Sequence, residues 1–361
     1  MKQEIYNPTF LFFSRLLSFI LFPYYSIINL FRYKNSFHKK LIKTILVTEY
    51  HRIGDVIMII PALRELKLHF KNARIILLCS SITTPLARNL NLVNEVIAFD
   101  APWTTWSFSL LKWIKVLDTA ILLRKRKIDL AIDFKGDIRN SWFLWQIKSN
   151  HSIGFTSAGG SYFFSKTFPF PFELHQTKRA LHLISKIVGK PSILKWKTCL
   201  IKKHGYVVLH SGTSDERRSW PLNNWIELIN YLIPYYELAI VKTNDSNDLI
   251  SMIKKHRLPI HVFEGNIIKF KNWLQNQRLL IAPDSMAGHL ATYLLIPVIS
   301  IFGSQNPELT KPLAENVVVV KPEIKCAHPK RHWRLCSLCI QSIDPFLVYK
   351  STVDLLGKIK K

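Results

Sequence analysis

The stretch KTILVTEYHRIGDVIMIIPALRELKLHF, residues 43–70, decides the fold of this 361-residue chain. It begins with a short run of apolar and β-branched residues and passes through a polar turn into a longer segment with helical character. A strand followed by a helix is the repeating unit of α/β proteins. The pattern predicts a loop at Arg52, Gly54 and Asp55 and a helix from Val56. Gly54 permits a tight turn there, and Asp55 lies where a carboxylate either caps the helix or faces the cleft between domains.

The same alternation recurs in two series along the chain. Each series consists of short apolar runs separated by helical stretches, which predicts two doubly wound, Rossmann-like α/β domains. A polar stretch, residues 194–205, separates the series and is the predicted linker. The further strand-like runs of the first series are residues 73–80, 95–99 and 129–134, and those of the second are residues 206–211, 237–242, 261–264, 279–284 and 297–303.

The composition bounds the class of protein. With 48% hydrophobic and 12% aromatic residues, the chain has ample material for packed cores, which excludes full-length disorder. Its 50 Lys and Arg against 24 Asp and Glu give a net charge of +26, which indicates a polyanionic partner: nucleic acid, an anionic membrane, or phosphorylated glycans and nucleotides. Five cysteines are an odd number, which favours a reducing, cytosolic compartment.

Residues 10–31 are almost wholly apolar and aromatic, and lysines follow them. The segment is long enough to span a bilayer, but Arg15 would lie inside the hydrocarbon and Pro23 is expected to break the helix. A helix lying in the membrane interface is therefore the preferred interpretation, and a helix packed on the protein is the alternative. The segment lacks a cleavage site of small residues, so a signal peptide is not expected.

Two loops of the second series suit a phosphate group. In LHSGTSDERRSWPLNNW, residues 209–225, small residues offer backbone amides and two arginines offer guanidinium groups. In PDSMAGHLA, residues 283–291, a hydroxyl and an acidic group open a helix. A solvated basic turn is the alternative for the first loop. The candidate residues are Ser211, Gly212, Thr213, Arg217, Arg218, Asp284, Ser285, Gly288 and His289.

Four motifs together carry a family resemblance. They are GDVIMIIPALRELK, IDFKGDIRNSWFLWQIKSNHSIGF, the arginine loop, and PDSMAGHLATYLLIPVISIFGSQNPELTKP. In order and spacing they resemble glycosyltransferase family nine, the ADP-heptose:lipopolysaccharide heptosyltransferases. The resemblance implies a GT-B fold, α/β with two Rossmann-like domains facing across a cleft. It implies an acceptor domain at 44–195, a nucleotide-sugar domain at 205–340, and a C-terminal helix, 341–361, returning to the first domain. Residues 1–43 are the membrane-associating segment predicted from the apolar run.

The resemblance also assigns residues. Asp55 matches the family's general base, and Arg218 matches a basic residue that meets the donor phosphates, with Arg217 as its fallback. Asp284, Ser285 and His289 match a donor-binding stretch in which Met286 replaces the family's glycine, and Gly288 is expected to restore backbone freedom. Acceptor contacts are expected from Arg52, Gly54, Asp133, Lys135 and Arg139.

The implied reaction is an inverting sugar transfer from an ADP-activated heptose, or a related sugar, to lipopolysaccharide or a lipid-linked glycan. A carboxylate would take the acceptor proton while positive charge stabilises the departing diphosphate. The chain contains no Asp-x-Asp motif, so neither a metal-bridged diphosphate nor a cofactor is expected. The expected location is the cytoplasmic face of the inner membrane, where the enzyme would be peripheral on an anionic surface.

Several alternatives stay open. A non-catalytic nucleotide-sugar or glycan-binding protein of the same fold is the second function, kept open by Met286, and nucleic-acid binding rests on charge alone and is not expected. Cys326, Cys336 and Cys339, with His328 and His332 nearby, are either metal ligands or free thiols. Trp103, Trp106 and Trp113 either serve packing or membrane contact or meet the lipid or sugar of the acceptor. The basic run 124–127 is either a solvated helix end or faces anionic lipid or phosphorylated glycan.

Overall fold

The computed structural model describes residues 8–32, 37–104, 109–189, 202–323, 326 and 336–357. The chain divides into two compact units, residues 1–193 and 194–361, and each is described by itself. Most of the predicted linker lies outside the described residues, as do Trp106, His328 and His332.

The first unit is built on a six-stranded parallel sheet. The strand order is β3-β2-β1-β4-β5-β6, so β1 lies at the centre with β4 beside it. Thr48 of β1 is in register with Asp133 of β4, which brings the carboxyl ends of these two strands together. The strands are β1 (Thr44–Glu49), β2 (Arg74–Cys79), β3 (Glu95–Ala98), β4 (Leu130–Asp133), β5 (His151–Thr156) and β6 (Lys166–Pro169).

Helices cover both faces of this sheet, as buried parallel strands require. The first face carries α2 and α6, whose apolar residues form one core with β1, β2, β4 and β5, and the second carries α4 and α5. The helices are α1 (Pro8–Arg32), α2 (Ile53–His69), α3 (Thr84–Asn89), α4 (Leu110–Arg124), α5 (Ile138–Ile147) and α6 (Gln176–Val188).

The second unit repeats the architecture with the strand order β12-β11-β10-β7-β8-β9, again all parallel. Its strands are β7 (Val207–Leu209), β8 (Leu238–Val241), β9 (Ile260–Phe263), β10 (Leu279–Pro283), β11 (Val298–Ile301) and β12 (Val317–Val320). Its helices are α7 (Leu222–Leu232), α8 (Asn247–Lys255), α9 (Ile267–Leu274), α10 (Met286–Tyr293), α11 (Pro307–Thr310), α12 (Ser337–Gln341) and α13 (Pro345–Gly357).

Two parallel α/β sheets were predicted and are confirmed, but the element boundaries differ from the sequence pattern in places. Helix α2 begins at Ile53, so Gly54 and Asp55 lie in its first turn and not in a preceding loop. Three strands were not predicted: β5 and β6 in the first sheet and β12 in the second.

The C-terminal helix belongs to the core of the second unit. α13 packs against α7, β11 and β12, and Val348, Leu355 and Leu356 enter the core of the second unit. These contacts place residues 345–357 in the second unit, and the expectation that the C-terminal helix returns to the first domain stays a prediction. The apolar side of α13 is satisfied by the edge of the second sheet.

Helix α1, which lies in the predicted membrane-associating segment, is grouped with the first unit by its contacts. Its Ser14 hydroxyl donates to the Ala158 carbonyl at 2.6 Å, and the Gly160 amide donates to the Ser18 hydroxyl at 2.9 Å. Pro23 lies inside an uninterrupted helix, so the predicted break is wrong.

The C-terminal half of α1 has contacts of its own, and these hold the helix on both sides of Pro23. Tyr25 stacks on Tyr162 with 5.4 Å between ring centroids, and Arg32 donates to the Trp145 carbonyl at 2.5 Å. Pro23 has no backbone N–H to donate to the carbonyl one turn earlier in the helix. The contacts along the rest of α1 offset the loss of this hydrogen bond.

Candidate functional site

The carboxylate of Asp55 lies at the centre of a polar cluster in the first unit. Its Oδ1 accepts a hydrogen bond from Nζ of Lys135 at 2.9 Å and another from the side-chain amide of Gln176. Its Oδ2 accepts the backbone N–H of Arg52 at 3.1 Å, which satisfies one of the free amides at the start of α2. The two predicted roles of Asp55 are thus compatible, because one oxygen caps the helix and the other receives polar side chains.

The adjacency of β1 and β4 creates this cluster. Lys135 follows β4 and is 80 residues from Asp55 in sequence, and its buried ammonium group also lies 3.3 Å from the carboxylate of Glu49 at the end of β1. His51 lies 3.1 Å from the same Glu49 carboxylate. The arrangement places one ammonium group between two carboxylates, with Asp55 18% exposed and Glu49 inaccessible.

These neighbours set the charge of Asp55. Burial by itself raises the pKa of the Asp55 carboxyl, but the charges of Lys135 and His51 and the hydrogen bonds from Lys135 and Gln176 outweigh it. The pKa of Asp55 consequently lies well below its usual range. The carboxylate is therefore ionised at neutral pH, the state that a proton acceptor requires.

The structure separates the other predicted acceptor residues into three environments. Asp133 is fully buried and accepts the backbone amides of Lys135 and Gly136, and burial, opposed by these hydrogen bonds, raises its pKa to about 7. Asp133 thus shapes the turn that carries Lys135. The guanidinium of Arg139 pairs with Asp137 at 2.5 Å. Arg52 is exposed at the start of α2, and Gly54 is buried in its first turn.

Sequence analysis missed Glu49, His51 and Gln176. Glu49 ends the first predicted strand and His51 lies in the turn after it. An acidic residue at the end of an otherwise apolar strand was the signal that could have found Glu49. Gln176 begins α6, far along the chain, and only the packing of α2 against α6 brings it to Asp55.

In the second unit, the carboxyl ends of β7, β10 and β11 are adjacent and carry polar groups. Arg218, 13% exposed, lies 3.4 Å from the carboxylate of Asp284, which follows β10. Among the described residues, the buried Ser211 and Ser285 hydroxyls and the Gln305 amide nitrogen have no hydrogen-bond partner. Buried polar groups of proteins are normally satisfied, so three such groups at one sheet edge indicate a ligand site.

The remaining predicted residues of this unit serve mainly local structure. A Cβ on Gly212 would come 2.7 Å from the Thr243 hydroxyl, and the Thr213 hydroxyl donates to the Asp215 carbonyl at 2.9 Å. Arg217 is paired with Asp215 at 2.6 Å and is largely exposed. These contacts fix the shape of the loop and leave Arg218 as its buried cation.

Helix α10 explains the glycine that was expected to compensate for Met286. A Cβ on Gly288 would come 2.8 Å from the Pro312 ring, so this glycine permits α10 to pack closely against Pro312 rather than an unusual backbone. The expectation that it restores backbone freedom is therefore wrong. Met286 is the first residue of a regular helix with Ser285 at its N-cap, and His289 is buried on α10.

Three cysteines come together in the second unit. The sulfur atoms of Cys326, Cys336 and Cys339 all lie within 4.8 Å of one another. Three thiols at this separation match three of the four ligands of a tetrahedral site, and the histidines considered as the fourth lie outside the described residues. The cluster is compatible with both interpretations given above, metal ligands or free thiols.

The tryptophan-rich segment and the basic run that follows it are partly structural. Trp103 is buried in an aromatic cluster, 5.5 Å from the ring of Trp113, and donates to the Asn140 side chain. Arg124 donates to the Gln146 carbonyl at 2.6 Å, and Arg126 pairs with Glu95 at 2.9 Å. The packing interpretation of Trp103 is therefore correct, and the basic run is a helix end with two arginines engaged.

Comparison with known proteins places these features in a family. The chain is 25% identical over 326 residues to lipooligosaccharide heptosyltransferase 2 of Campylobacter jejuni, which covers 84% of this chain and 92% of that one. Its fold is similar to ADP-heptose lipopolysaccharide heptosyltransferase II of E. coli, with a TM-score of 0.71, 16% identity and coverage of 89% and 100%. It is also similar to the E. coli heptosyltransferase WaaC solved with ADP, with a TM-score of 0.69, 16% identity and coverage of 86% and 99%.

The sequence profile of glycosyltransferase family 9 (heptosyltransferase) matches residues 118–337, well over half of the chain. This match includes the turn after β4 that carries Lys135 and the whole edge of the second sheet with its unsatisfied hydroxyls. The resemblance inferred from the four motifs is confirmed, and this chain, an α/β protein of the GT-B class, belongs to glycosyltransferase family 9.

Proposed function

We propose that this enzyme transfers a heptose from an ADP-activated donor to the lipopolysaccharide core or a similar lipid-linked glycan, with inversion at the anomeric carbon. The observation that carries the proposal is the ionised Asp55 carboxylate, held by Lys135 and Gln176 at the carboxyl edge of the first sheet. Relatives of the same family support the choice of sugar and nucleotide, since one is named an ADP-heptose lipopolysaccharide heptosyltransferase and another was solved with ADP.

In this proposal Asp55 is the general base. The acceptor hydroxyl gives its proton to the carboxylate as its oxygen attacks the anomeric carbon, and the bond from that carbon to the diphosphate breaks. The low pKa of Asp55 in the free enzyme keeps it ionised but also weakens it as a base. Lys135 lies between Asp55 and Glu49, so a small shift of its ammonium group toward Glu49 would strengthen the base when acceptor is bound.

The donor diphosphate is proposed to lie at the carboxyl edge of β7, β10 and β11. Arg218 would supply positive charge for the departing diphosphate, and the Ser211 and Ser285 hydroxyls with the α10 amides would donate to phosphate oxygens. Fixed donors that face developing negative charge lower the barrier to its formation. This arrangement requires no metal ion.

The direct test is incubation with ADP-heptose and a set of truncated lipopolysaccharide cores, followed by mass spectrometry of the acceptor. A mass increase of one heptose on one core supports the proposal. ADP-heptose that binds without transfer to any core would instead support the non-catalytic alternative. The regular start of α10 at Met286 removes the structural argument for that alternative, because the substitution leaves the helix intact.

The membrane is the second proposed partner, reached from the cytoplasmic side through α1. Its residues Thr9–Arg32 are long and apolar enough to cross a bilayer, yet the helix docks on the first unit through its polar side chains, including Ser14, Ser18 and Asn29. The large apolar residues face outward, with Phe19 79% exposed. A docked helix with its polar face inward and apolar face outward is suited to lie in the interface, which agrees with the preferred interpretation of the sequence.

The test of this contact uses the full chain, because removing α1 would expose the aromatic residues beneath it. Phe19→Ser combined with Leu30→Ser removes two of the most exposed apolar side chains of α1. Binding to vesicles of phosphatidylcholine and phosphatidylglycerol should fall by about tenfold or more, since each large apolar side chain is worth roughly 1.5 to 3 kcal/mol when fully buried. Unchanged binding would refute a lipid contact through α1.

A further inference from the structure

A second helix of the first unit also exposes an apolar face. On α4, residues 110, 111, 114, 117, 121 and 122 are all leucine or isoleucine, and their side chains are between 44% and 72% exposed. The opposite side of the same helix, with Val116, Ala120 and Leu123, is buried in the core. A helix that is apolar both toward the core and toward solvent has one face without a protein partner among the described residues.

Helix α5 connects this face to α1. Trp142 of α5 lies 6.0 Å from Trp113 of α4, while Trp145 of α5 lies 5.0 Å from Tyr25 of α1. The two apolar helices therefore both contact α5, which packs with α4 on one face of the first sheet. We call their exposed apolar residues the two-helix surface: those of α4 given above, with Phe10, Phe12, Phe13, Leu16, Leu17, Phe19, Ile20, Phe22, Tyr24, Ile27, Leu30 and Phe31 of α1.

The charges around the two-helix surface identify its occupant. Along α1 and α4 the sequence has five basic residues and one acidic residue, Asp118. Lys112 and Lys115 are exposed on α4, and Lys125 and Lys127 are exposed just after it. If a second copy of this chain bound here, these cations would face the same cations of that copy and repel them. Anionic lipid headgroups would instead attract them.

We propose that α4 is a second membrane-binding helix, which inserts its exposed leucines and isoleucines beside α1 into the interface of an anionic bilayer. This extends the lipid contact proposed for α1 to a surface anchored at two places. Two anchors that both contact α5 would fix the orientation of the first unit on the membrane. Because α5 begins three residues after Lys135, a lipid-linked acceptor would meet the Asp55 cluster from that surface.

The test compares three forms of the full-length protein in titrations with phosphatidylcholine and phosphatidylglycerol vesicles. The first is the unsubstituted chain, and the second carries Leu110→Ser, Leu111→Ser and Leu122→Ser, the most exposed apolar positions of α4. The third is a matched control with three exposed aliphatic residues outside both helices replaced: Leu68→Ser, Ile82→Ser and Leu338→Ser. Circular dichroism and thermal melting verify that all three are folded.

We expect the α4 variant to require about tenfold more lipid for half-maximal binding, and the control to require the same amount as the unsubstituted chain. Equal binding of the α4 variant and the control would overturn the inference. The inference would also be overturned if the α4 variant differed from the unsubstituted chain in oligomeric state, measured by light scattering without lipid, but not in vesicle binding. The exposed face of α4 would then join two copies of the chain.

Two further comparisons separate this inference from its background. Lys112→Gln with Lys115→Gln should weaken binding to the anionic vesicles about 30-fold and leave binding to pure phosphatidylcholine unchanged, since each of the two lysines near an anionic surface is worth about 1 kcal/mol. If the α1 variant loses binding and the α4 variants do not, α4 is not an anchor and the contact through α1 stands. If neither set loses binding, the proposed membrane contact fails as a whole.

Discussion

Replacing Asp55 by asparagine removes the proposed base while keeping nearly the same shape. The asparagine side-chain oxygen can still accept the Arg52 amide, which now lies 3.1 Å from Oδ2, so the cap of α2 is retained. The asparagine nitrogen replaces Oδ1 and can no longer accept from Lys135 or Gln176, but a rotated Gln176 amide can present its oxygen to it. The negative charge 2.9 Å from Lys135 is lost, but that ammonium group remains 3.3 Å from Glu49 and is not left unpaired. We therefore expect the variant to fold.

The expected loss of stability is small, whereas the expected loss of kcat is large. Losing a charge-assisted hydrogen bond at this largely buried site costs about 1.5 to 3 kcal/mol of unfolding free energy. For a unit of this size that corresponds to a fall in Tm of roughly 5 to 10 °C. Losing a general base lowers kcat by about 100- to 10,000-fold, or roughly 3 to 5 kcal/mol in the barrier. At 25 °C the variant should be folded and nearly inactive.

The assay is steady-state transfer from ADP-heptose to the accepted core, with melting curves recorded in parallel. Asp129→Asn is the matched control, because the Asp129 carboxylate also accepts backbone amides, those of Lys43 and Thr44 at 2.9 Å. Asp129 precedes β4 and therefore lies at the amino ends of the strands, away from the Asp55 cluster. We expect this control to keep kcat. A folded Asp55→Asn enzyme with kcat within a few-fold of the unsubstituted protein would refute the assignment of Asp55 as the base.

Three other substitutions test the neighbours of these groups. Lys135→Met removes the positive charge that lowers the pKa of Asp55, so that pKa should rise and the acidic limb of the kcat profile should move to higher pH; an unmoved limb would show that Lys135 does not tune the base. Arg218→Ala should raise the KM for ADP-heptose or lower kcat by about tenfold or more, while Arg217→Ala, whose guanidinium is exposed and paired within its own loop, should change either constant less than threefold; equal effects would contradict the assignment. Ser285→Ala should weaken ADP binding in calorimetry by about fivefold without lowering Tm, because its buried hydroxyl has no partner among the described residues; unchanged affinity would place the phosphates elsewhere.

The sequence by itself determined the class of fold and much of the chemistry. Strands buried on both faces appear as continuous runs of isoleucine, leucine and valine, and for that reason β1, β2, β7, β8 and β10 could be predicted. The motifs after these strands could be predicted to bear function because ligands of parallel sheets bind beyond the carboxyl ends. Of the strands that escaped prediction, β6 is short and only partly buried, and β5 has few consecutive apolar residues.

Only the tertiary structure decided which residues meet. Asp55 and Lys135 are brought together by the pairing of β1 with β4, an adjacency that the chain order does not specify, and Gln176 joins them through the packing of α6 on α2. The sequence likewise showed that residues 10–31 are apolar but not which side faces the protein. Docking through Ser14, Ser18 and Asn29, together with the stacking of Tyr25 on Tyr162, fixes the side of the helix that faces the first unit and leaves residues such as Phe19 and Leu30 exposed.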